Sequence, residues 1–154
     1  WSLRSDGRVT VHDRTNVREL DLTTVGEPVD LVVGDLSFIS LRLVLDALIG
    51  VTAQDGDLVI MVKPQFEVGR TRVGKGGVVR DLELRVEAVT DVADRAAERG
   101  WGARAVTQSP LPGPAGNVEF FLWLRRGPTS LGPDDIGRVV SASGEGASDE
   151  RVNP

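Results

Sequence analysis

Apolar residues along the chain form two patterns, continuous runs and helical spacing. The runs VDLVVG (29–34) and LVIMVK (58–63) are typical of parallel strands buried on both faces. Spacings of three and four predict helices, with Ser40 as an N-cap candidate. The predicted strands are 9–12, 29–34, 58–63, 101–108 and 118–125, and the predicted helices are 40–52 and 81–100. This alternation predicts an open, mostly parallel α/β sheet.

The last two predicted strands have no helix between them, only the segment SPLPGPAGN (109–117). Such strands most simply pair antiparallel, so the last strand is reversed and begins at the rim where the parallel strands end. Asp35 follows one parallel strand, Lys63 ends another, and Glu119 opens the reversed strand. We therefore expect these three side chains at one rim, where open α/β sheets bind ligands.

Composition narrows the class of protein. The chain has 154 residues, 40% of them hydrophobic, which is enough for one domain with a core. It has no cysteine and one histidine, which excludes disulfides, thiolate metal sites and His-rich metal sites. No apolar stretch approaches the roughly 20 residues of a membrane span, and the start has no signal-peptide core. We expect a cytoplasmic protein with neither metal nor membrane partner.

The end of the chain has a different composition. Residues 127–154 are rich in Gly, Ser, Pro and acids, which predicts a largely disordered tail with a possible short helix at 134–141. Residues 1–126 are therefore expected to form the folded domain.

Basic residues concentrate in one segment although the net charge is −5. The Gly-rich segment GRTRVGKGG (69–77) contributes Arg70, Arg72 and Lys75, and it lacks the P-loop pattern. Arginine and lysine on a flexible Gly-rich loop favour contacts with RNA phosphates, and a solvated loop without function is an equal alternative.

Four blocks carry a resemblance to a known family: GDLSFISL (34–41), VKPQFEVG (62–69), GKGGVVRD (74–81) and SPLPGPAGNVEFFLWLR (109–125). In these blocks the chain resembles the TlyA, or hemolysin A, family of ribosomal-RNA 2'-O-methyltransferases, which have an FtsJ-like Rossmann domain. The resemblance implies a class I methyltransferase sheet. It also implies methyl transfer from S-adenosylmethionine to ribose 2'-hydroxyls of cytidines in 16S and 23S rRNA, so that the partners are ribosomal subunits.

The resemblance further implies a Lys-Asp-Lys-Glu catalytic tetrad. By motif, Asp35, Lys63 and Glu119 correspond to its aspartate, second lysine and glutamate, with Asp35 also near the cofactor. The first lysine, the Gly-rich cofactor loop and the family's S4 RNA-binding domain would precede Trp1. We therefore expect this chain to be a C-terminal portion, inactive alone.

Three further residues are site candidates. Asp13 and Asn16 follow the predicted strand 9–12, where such folds meet adenosine, but local turn formation explains them equally well. Asn117 is a candidate for RNA binding or for positioning Glu119.

Each catalytic candidate also has a structural interpretation. Lys63 could extend its ammonium into water, Asp35 could cap a helix, and Glu119 could be a surface residue. The alternative functions are a non-catalytic fragment that binds RNA or a partner, and a hemolysin-like membrane-active protein. The joint presence of the three residues favours the enzyme.

Overall fold

The computed structural model describes residues 2–113, 115–132 and 134–145. Its strands are β1 (Val29–Gly34), β2 (Thr52–Val62), β3 (Trp101–Gln108) and β4 (Phe120–Arg126). Its α-helices are α1 (Leu22–Val25), α2 (Leu45–Val51), α3 (Pro64–Glu67), α4 (Leu82–Ala97) and α5 (Asp135–Glu145). Short 3-10 helices span Ser2–Ser5, Val17–Glu19, Leu41–Leu43 and Lys75–Gly77. The predicted α/β class is confirmed.

The four strands form one mixed sheet in the order β1-β2-β4-β3. β1 and β2 are parallel, whereas β4 lies antiparallel to both β2 and β3. The predicted reversal of the last strand is therefore confirmed. Because β4 pairs antiparallel with β2, Phe120 at the start of β4 lies beside Val62 at the end of β2.

Only one face of this sheet is covered within the described residues. Leu58, Ile60 and Val62 are fully buried, in a core shared with α2, α4 and α5. On the opposite face of β1, Leu31 and Val33 remain 54% and 67% exposed. The prediction of strands buried on both faces was therefore wrong for this chain, because its long helices all contribute to one core.

The two predicted helices differ in how well their predicted caps agree with the structure. Asp81 caps α4 by accepting hydrogen bonds from the backbone N–H of Glu83 and Leu84, and the chain leaves the helix at Gly100, whose φ is +76°. The predicted helix 40–52 is divided into a 3-10 turn and α2, and Ser40 makes no side-chain cap. Its hydroxyl bonds to Glu67 instead.

The start of the chain differs from the prediction. Residues 9–12 form no strand and are exposed. No described strand lies beside them to supply hydrogen bonds. A short alternation of apolar and polar residues is therefore not enough to form a strand at this position.

The C-terminal segment is more ordered than its composition suggests. The hydroxyl of Thr129 and the N–H of Ser130 both donate to the carbonyl of Ala103 on β3. The predicted short helix extends over Asp135–Glu145, and its Ile136 and Val140 are buried in the main core. The burial of these two apolar residues packs the helix against the domain, which the polar composition of the segment did not predict. Residues 146–154 and Pro133, part of the predicted disordered tail, lie outside the described residues, as does Trp1.

Candidate active site

Strand register brings the three predicted catalytic residues to one rim. Val62 on β2 pairs with Phe120 on β4, so Lys63 and Glu119 stand directly beyond this pair. Gly34 on β1 pairs with Ile60 in the parallel direction, so Asp35 ends β1 at the same rim. Asp35, Lys63 and Glu119 each lie two positions from a strand residue on the uncovered face of the sheet. The strand residues are Val33, Met61 and Phe121, in the same order. Because strand side chains alternate, all three candidates belong to one side of the sheet.

The Lys63 ammonium is fixed by two partners rather than extended into water. Its Nζ lies 2.6 Å from Oδ1 of Asp35 and donates to Oγ of Ser37 at 3.0 Å. Lys63 is 8% exposed, whereas the Asp35 side chain is 67% exposed. Pro64 begins α3 immediately afterwards, so the backbone turns away and the lysine stem remains covered. One ammonium hydrogen is left for a further acceptor.

Glu119 is buried at the same rim, immediately before β4, with 5% exposure. Its Oε1 accepts a hydrogen bond of 2.8 Å from Nε2 of Gln65. Its carbonyl accepts from the N–H of Ser109, which ties the 109–117 loop to the strand start. A Cβ placed on Gly113 would lie 2.7 Å from Oε1, so a larger residue there would displace this carboxylate.

These side chains surround a cavity of about 480 Å³. Asp35, Ser37 and Lys63 form one wall, and Glu119 with the first part of the 109–117 loop forms another. The volume is within the range of small-molecule and nucleotide sites. The rim thus combines a lysine donor, a buried carboxylate and an exposed carboxylate around one space.

A second cavity, of about 460 Å³, is lined in part by Gln65. Phe38, Phe66 and Arg70 are among its lining residues. Phe38 is 92% exposed with φ of +63°, and its ring lies 5.2 Å from that of Phe66. An exposed phenylalanine in the left-handed region is rare and strained, which makes the segment after Asp35 a candidate functional segment.

Glu67 fixes the segment that carries Phe38. Its side chain, only 1% exposed, accepts hydrogen bonds from Oγ of Ser40 at 2.5 Å and the N–H of Leu41 at 2.7 Å. Arg42 lies 3.5 Å away and also donates to the Glu67 carbonyl. Burial raises the pKa of Glu67, and the Ser40, Leu41 and Arg42 contacts oppose that rise. Glu67 therefore does the capping that the sequence assigned to Ser40.

The predicted RNA contacts differ in how free their charges are. Arg70 and Lys75 are exposed and make no ion pair within the described ranges. Arg72 donates to the carbonyl of Val68 and pairs with Glu87 at 2.6 Å. The Arg72 guanidinium holds the pKa of Glu87 below its usual value. Of the two arginines, Arg70 is thus the more available to an RNA phosphate.

Asn117 is a fixed part of the loop rather than a free surface group. It is 3% exposed, its Oδ1 accepts from the N–H of Val79, and its Nδ2 donates to the carbonyl of Gly77. Both polar groups of the side chain are thereby engaged. These contacts favour the positioning role for Asn117, and its contact with RNA stays a prediction.

The predicted adenosine contacts are engaged locally. Both carboxylate oxygens of Asp13 accept from Arg4 at 2.7 Å. Asn16 caps the Val17–Glu19 turn and donates to Glu19. Local turn formation accounts for both residues in this structure, and a cofactor role for them stays a prediction.

Ser37 and Gln65 were not identified from the sequence. Each lies two residues from a predicted catalytic residue, inside the GDLSFISL and VKPQFEVG blocks. The sequence signal that could have identified them is a polar residue in the short segment that follows a strand end. Their partners could not be inferred, because Gln65 and Glu119 are 54 positions apart.

Comparison with known proteins gives consistent relationships. A profile of FtsJ-like methyltransferase sequences matches residues 1–126. The chain is 60% identical over 125 residues to the 16S/23S rRNA (cytidine-2'-O)-methyltransferase TlyA of Mycobacterium tuberculosis, covering 81% of this chain and 47% of that protein. It thus spans about half the length of the curated relatives it matches.

Two solved structures are similar throughout the described fold. A candidate hemolysin from Streptococcus thermophilus has a TM-score of 0.87 and 33% identity, covering 93% of this chain and 53% of the other. A second, from Lactococcus lactis, has a TM-score of 0.87 and 34% identity, with coverages of 94% and 71%. The matched profile, the high identity and the shared fold together place the chain in the FtsJ-like methyltransferase family.

Proposed function

We propose that this chain is the C-terminal portion of the catalytic domain of an S-adenosylmethionine-dependent 2'-O-methyltransferase that acts on cytidines of 16S and 23S rRNA. The observation that carries the proposal is that the Asp35–Lys63 ion pair and Glu119 line one cavity. The M. tuberculosis relative, a 16S/23S rRNA (cytidine-2'-O)-methyltransferase, supports this choice of substrate.

The reacting end of the site suits a cationic methyl donor. When bound, S-adenosylmethionine would supply a methyl group on a positively charged sulfur. The Asp35 carboxylate is largely exposed beyond its contact with Lys63, so it can also face a cation in the cavity. Asp35 is therefore the residue of this chain best suited to hold the donor.

Lys63 acts on the ribose hydroxyl. Paired with a carboxylate, it is a hydrogen-bond donor with one hydrogen uncommitted. That hydrogen orients the 2'-oxygen and stabilises the negative charge that develops as the hydroxyl proton leaves. Glu119, which lines the same cavity, accepts a hydrogen bond from the 2'-hydroxyl and takes the proton that this oxygen loses on methylation.

The second cavity provides a surface for the rest of the nucleotide. The exposed ring of Phe38 offers a face on which an RNA base can stack, and Arg70 offers a charge for a phosphate. Single-stranded or flipped-out nucleotides are recognised by this combination of stacking and phosphate contact.

The direct test uses a full-length protein that contains this chain, S-adenosylmethionine and purified, unmethylated 30S and 50S subunits. Mass spectrometry of digested rRNA should detect new 2'-O-methylcytidine in both subunits. Base methylation, or no methylation of either rRNA, would overturn the proposal.

The hemolysin alternative predicts a different outcome. Across the described part of the chain, no helix has the length and apolar character needed to cross a bilayer. We expect the same protein preparation to leave dye-loaded liposomes intact. Leakage without RNA methylation would favour the membrane-active alternative.

A further inference from the structure

Gln65 links the two sides of the candidate active site. It follows Lys63 and Pro64 on α3, and its Nε2 donates to Oε1 of Glu119 at 2.8 Å. α3 begins where β2 ends, and Glu119 immediately precedes β4. One side chain therefore connects the strand end that carries the lysine to the strand start that carries the glutamate.

The Glu119 carboxylate occupies space that a side chain at position 113 would need. A Cβ added to Gly113 would be 2.7 Å from Oε1 and 3.1 Å from Cδ. No described residue hydrogen-bonds to Oε2 of Glu119. Gln65 is thus the side chain that holds Oε1, and Oε2 remains the oxygen available to a ligand in the cavity.

The contact with Glu119 sets the orientation of the Gln65 amide. Its Nε2 donates to the carboxylate, and its Oε1 has no hydrogen-bond partner in the described ranges. Rotating the amide would place Oε1 against the Glu119 carboxylate, which is repulsive. The hydrogen bond to Glu119 therefore determines which way the amide points.

We infer that Gln65 is a positioning residue that fixes the Glu119 carboxylate for the ribose hydroxyl. This inference rests on the proposed methyl transfer for its kinetic consequence. The contact itself is independent of that function.

The kinetic test uses Gln65→Met in the full-length protein with S-adenosylmethionine and ribosomal subunits. Methionine keeps most of the volume but removes the donor, so the carboxylate loses its fixed position. We expect kcat to fall about 10- to 100-fold, because small misplacements of reacting groups have effects of this size. KM for the subunits and cofactor affinity should change little. Gln54→Met, at an exposed position near the other end of β2, is the matched control and should retain wild-type kcat.

Gln65→Glu gives a readout that a packing role would not produce. When the introduced carboxyl group is protonated, it can donate to Glu119 as glutamine does, whereas its ionised form repels Glu119. Activity relative to wild type should therefore be higher at mildly acidic pH and decline as pH rises, while the Gln65→Met deficit stays constant. The neighbouring charges are Glu119, the Asp35–Lys63 pair in the same cavity and Arg70 in the adjoining one.

A crystal structure of Gln65→Met separates failure of this inference from failure of the proposed function. The Glu119 side chain should lose its single position even if the wild-type protein proves inactive. An unmoved, well-ordered Glu119 in that structure, or a kcat within twofold of an active wild type, would overturn the inference.

Discussion

A lysine buried at a strand end is stable only where its ammonium finds partners, and Lys63 has Asp35 and Ser37. Lys63→Met in the full-length protein preserves most of the stem's packing and removes the donor. We expect methyl transfer to fall by about a hundredfold or more, the usual size of acid-base and electrostatic contributions. Single-turnover rates at saturating RNA and cofactor measure this, with cofactor affinity nearly unchanged.

The chain's only other lysine, Lys75, provides the comparison. It is exposed on the basic loop, so Lys75→Met should weaken RNA binding without changing the single-turnover rate at saturation. Rates for Lys63→Met within a few fold of wild type would show that the lysine only closes the strand.

Glu67 is the buried acid whose charge opposes folding. Burial raises its pKa, so the folded state favours the protonated acid over the ionised one. Its stabilisation is fully present below the ordinary glutamate pKa of about 4.3 and is lost as pH rises through the raised value. A glutamine in its place would be neutral throughout, so the Glu67→Gln variant should gain stability relative to wild type as pH increases from about 4 to 7.

Denaturant unfolding at a series of pH values measures this difference. Glu27→Gln, at an exposed position, is the matched control and should show a nearly constant difference. A Glu67→Gln difference that is flat, or that favours wild type at higher pH, would contradict the assignment.

At the scale of elements, the two arginines of the basic loop at 69–77 have similar sequence contexts but different contacts. Arg72 is already paired with Glu87, whereas Arg70 faces the second cavity. We expect Arg70→Ala to weaken RNA binding and to reduce the slope of log affinity against log salt concentration by about 1. Arg72→Ala should change both quantities less.

Filter binding or fluorescence anisotropy at several salt concentrations compares the two variants. Both should retain the wild-type single-turnover rate at saturating RNA. Equal losses of affinity and slope would show that the Glu87 pair breaks on binding and that both arginines reach phosphates.

The elements that could be predicted from sequence are those fixed by local signals. Asp81 and Gly100 bound α4 because a cap and a left-handed residue act within one turn. The helix after Ser40 could not be predicted in detail, because its cap is a carboxylate 26 positions away from Leu41. The rim of Asp35, Lys63 and Glu119 was predictable from topology, whereas the Gln65 contact depends on a side-chain orientation that no pattern records.

For the molecule as a whole, the uncovered sheet face explains the one systematic error in the fold prediction. Continuous apolar residues in β1 and β2 are the pattern of a sheet covered on both sides, yet Leu31 and Val33 are exposed. The matched region is 47% of the M. tuberculosis relative, so that protein is about twice as long as the matched region. We expect the remainder of a full-length protein to cover this face.

The same argument applies to the cofactor. In the proposed function Asp35 and Lys63 serve the reacting end, but Asp13 and Asn16 are bonded to Arg4 and Glu19. No described strand pairs with residues 9–12 to order the segment that would meet adenosine. We therefore expect the 154-residue chain to bind S-adenosylmethionine weakly or not at all, while a full-length protein that contains it binds.

Isothermal titration calorimetry of the two proteins decides this, and circular dichroism of the shorter chain verifies that its sheet and helices have formed. A folded 154-residue chain that gives no binding heat at micromolar concentrations supports the division of the site. Micromolar binding by that chain would overturn this expectation, and Asp13 and Asn16 would then be the first residues to test as contacts of the adenosine. In that case Asp13→Asn, which weakens the pair with Arg4, should change the affinity for S-adenosylmethionine but leave Lys63-dependent catalysis intact.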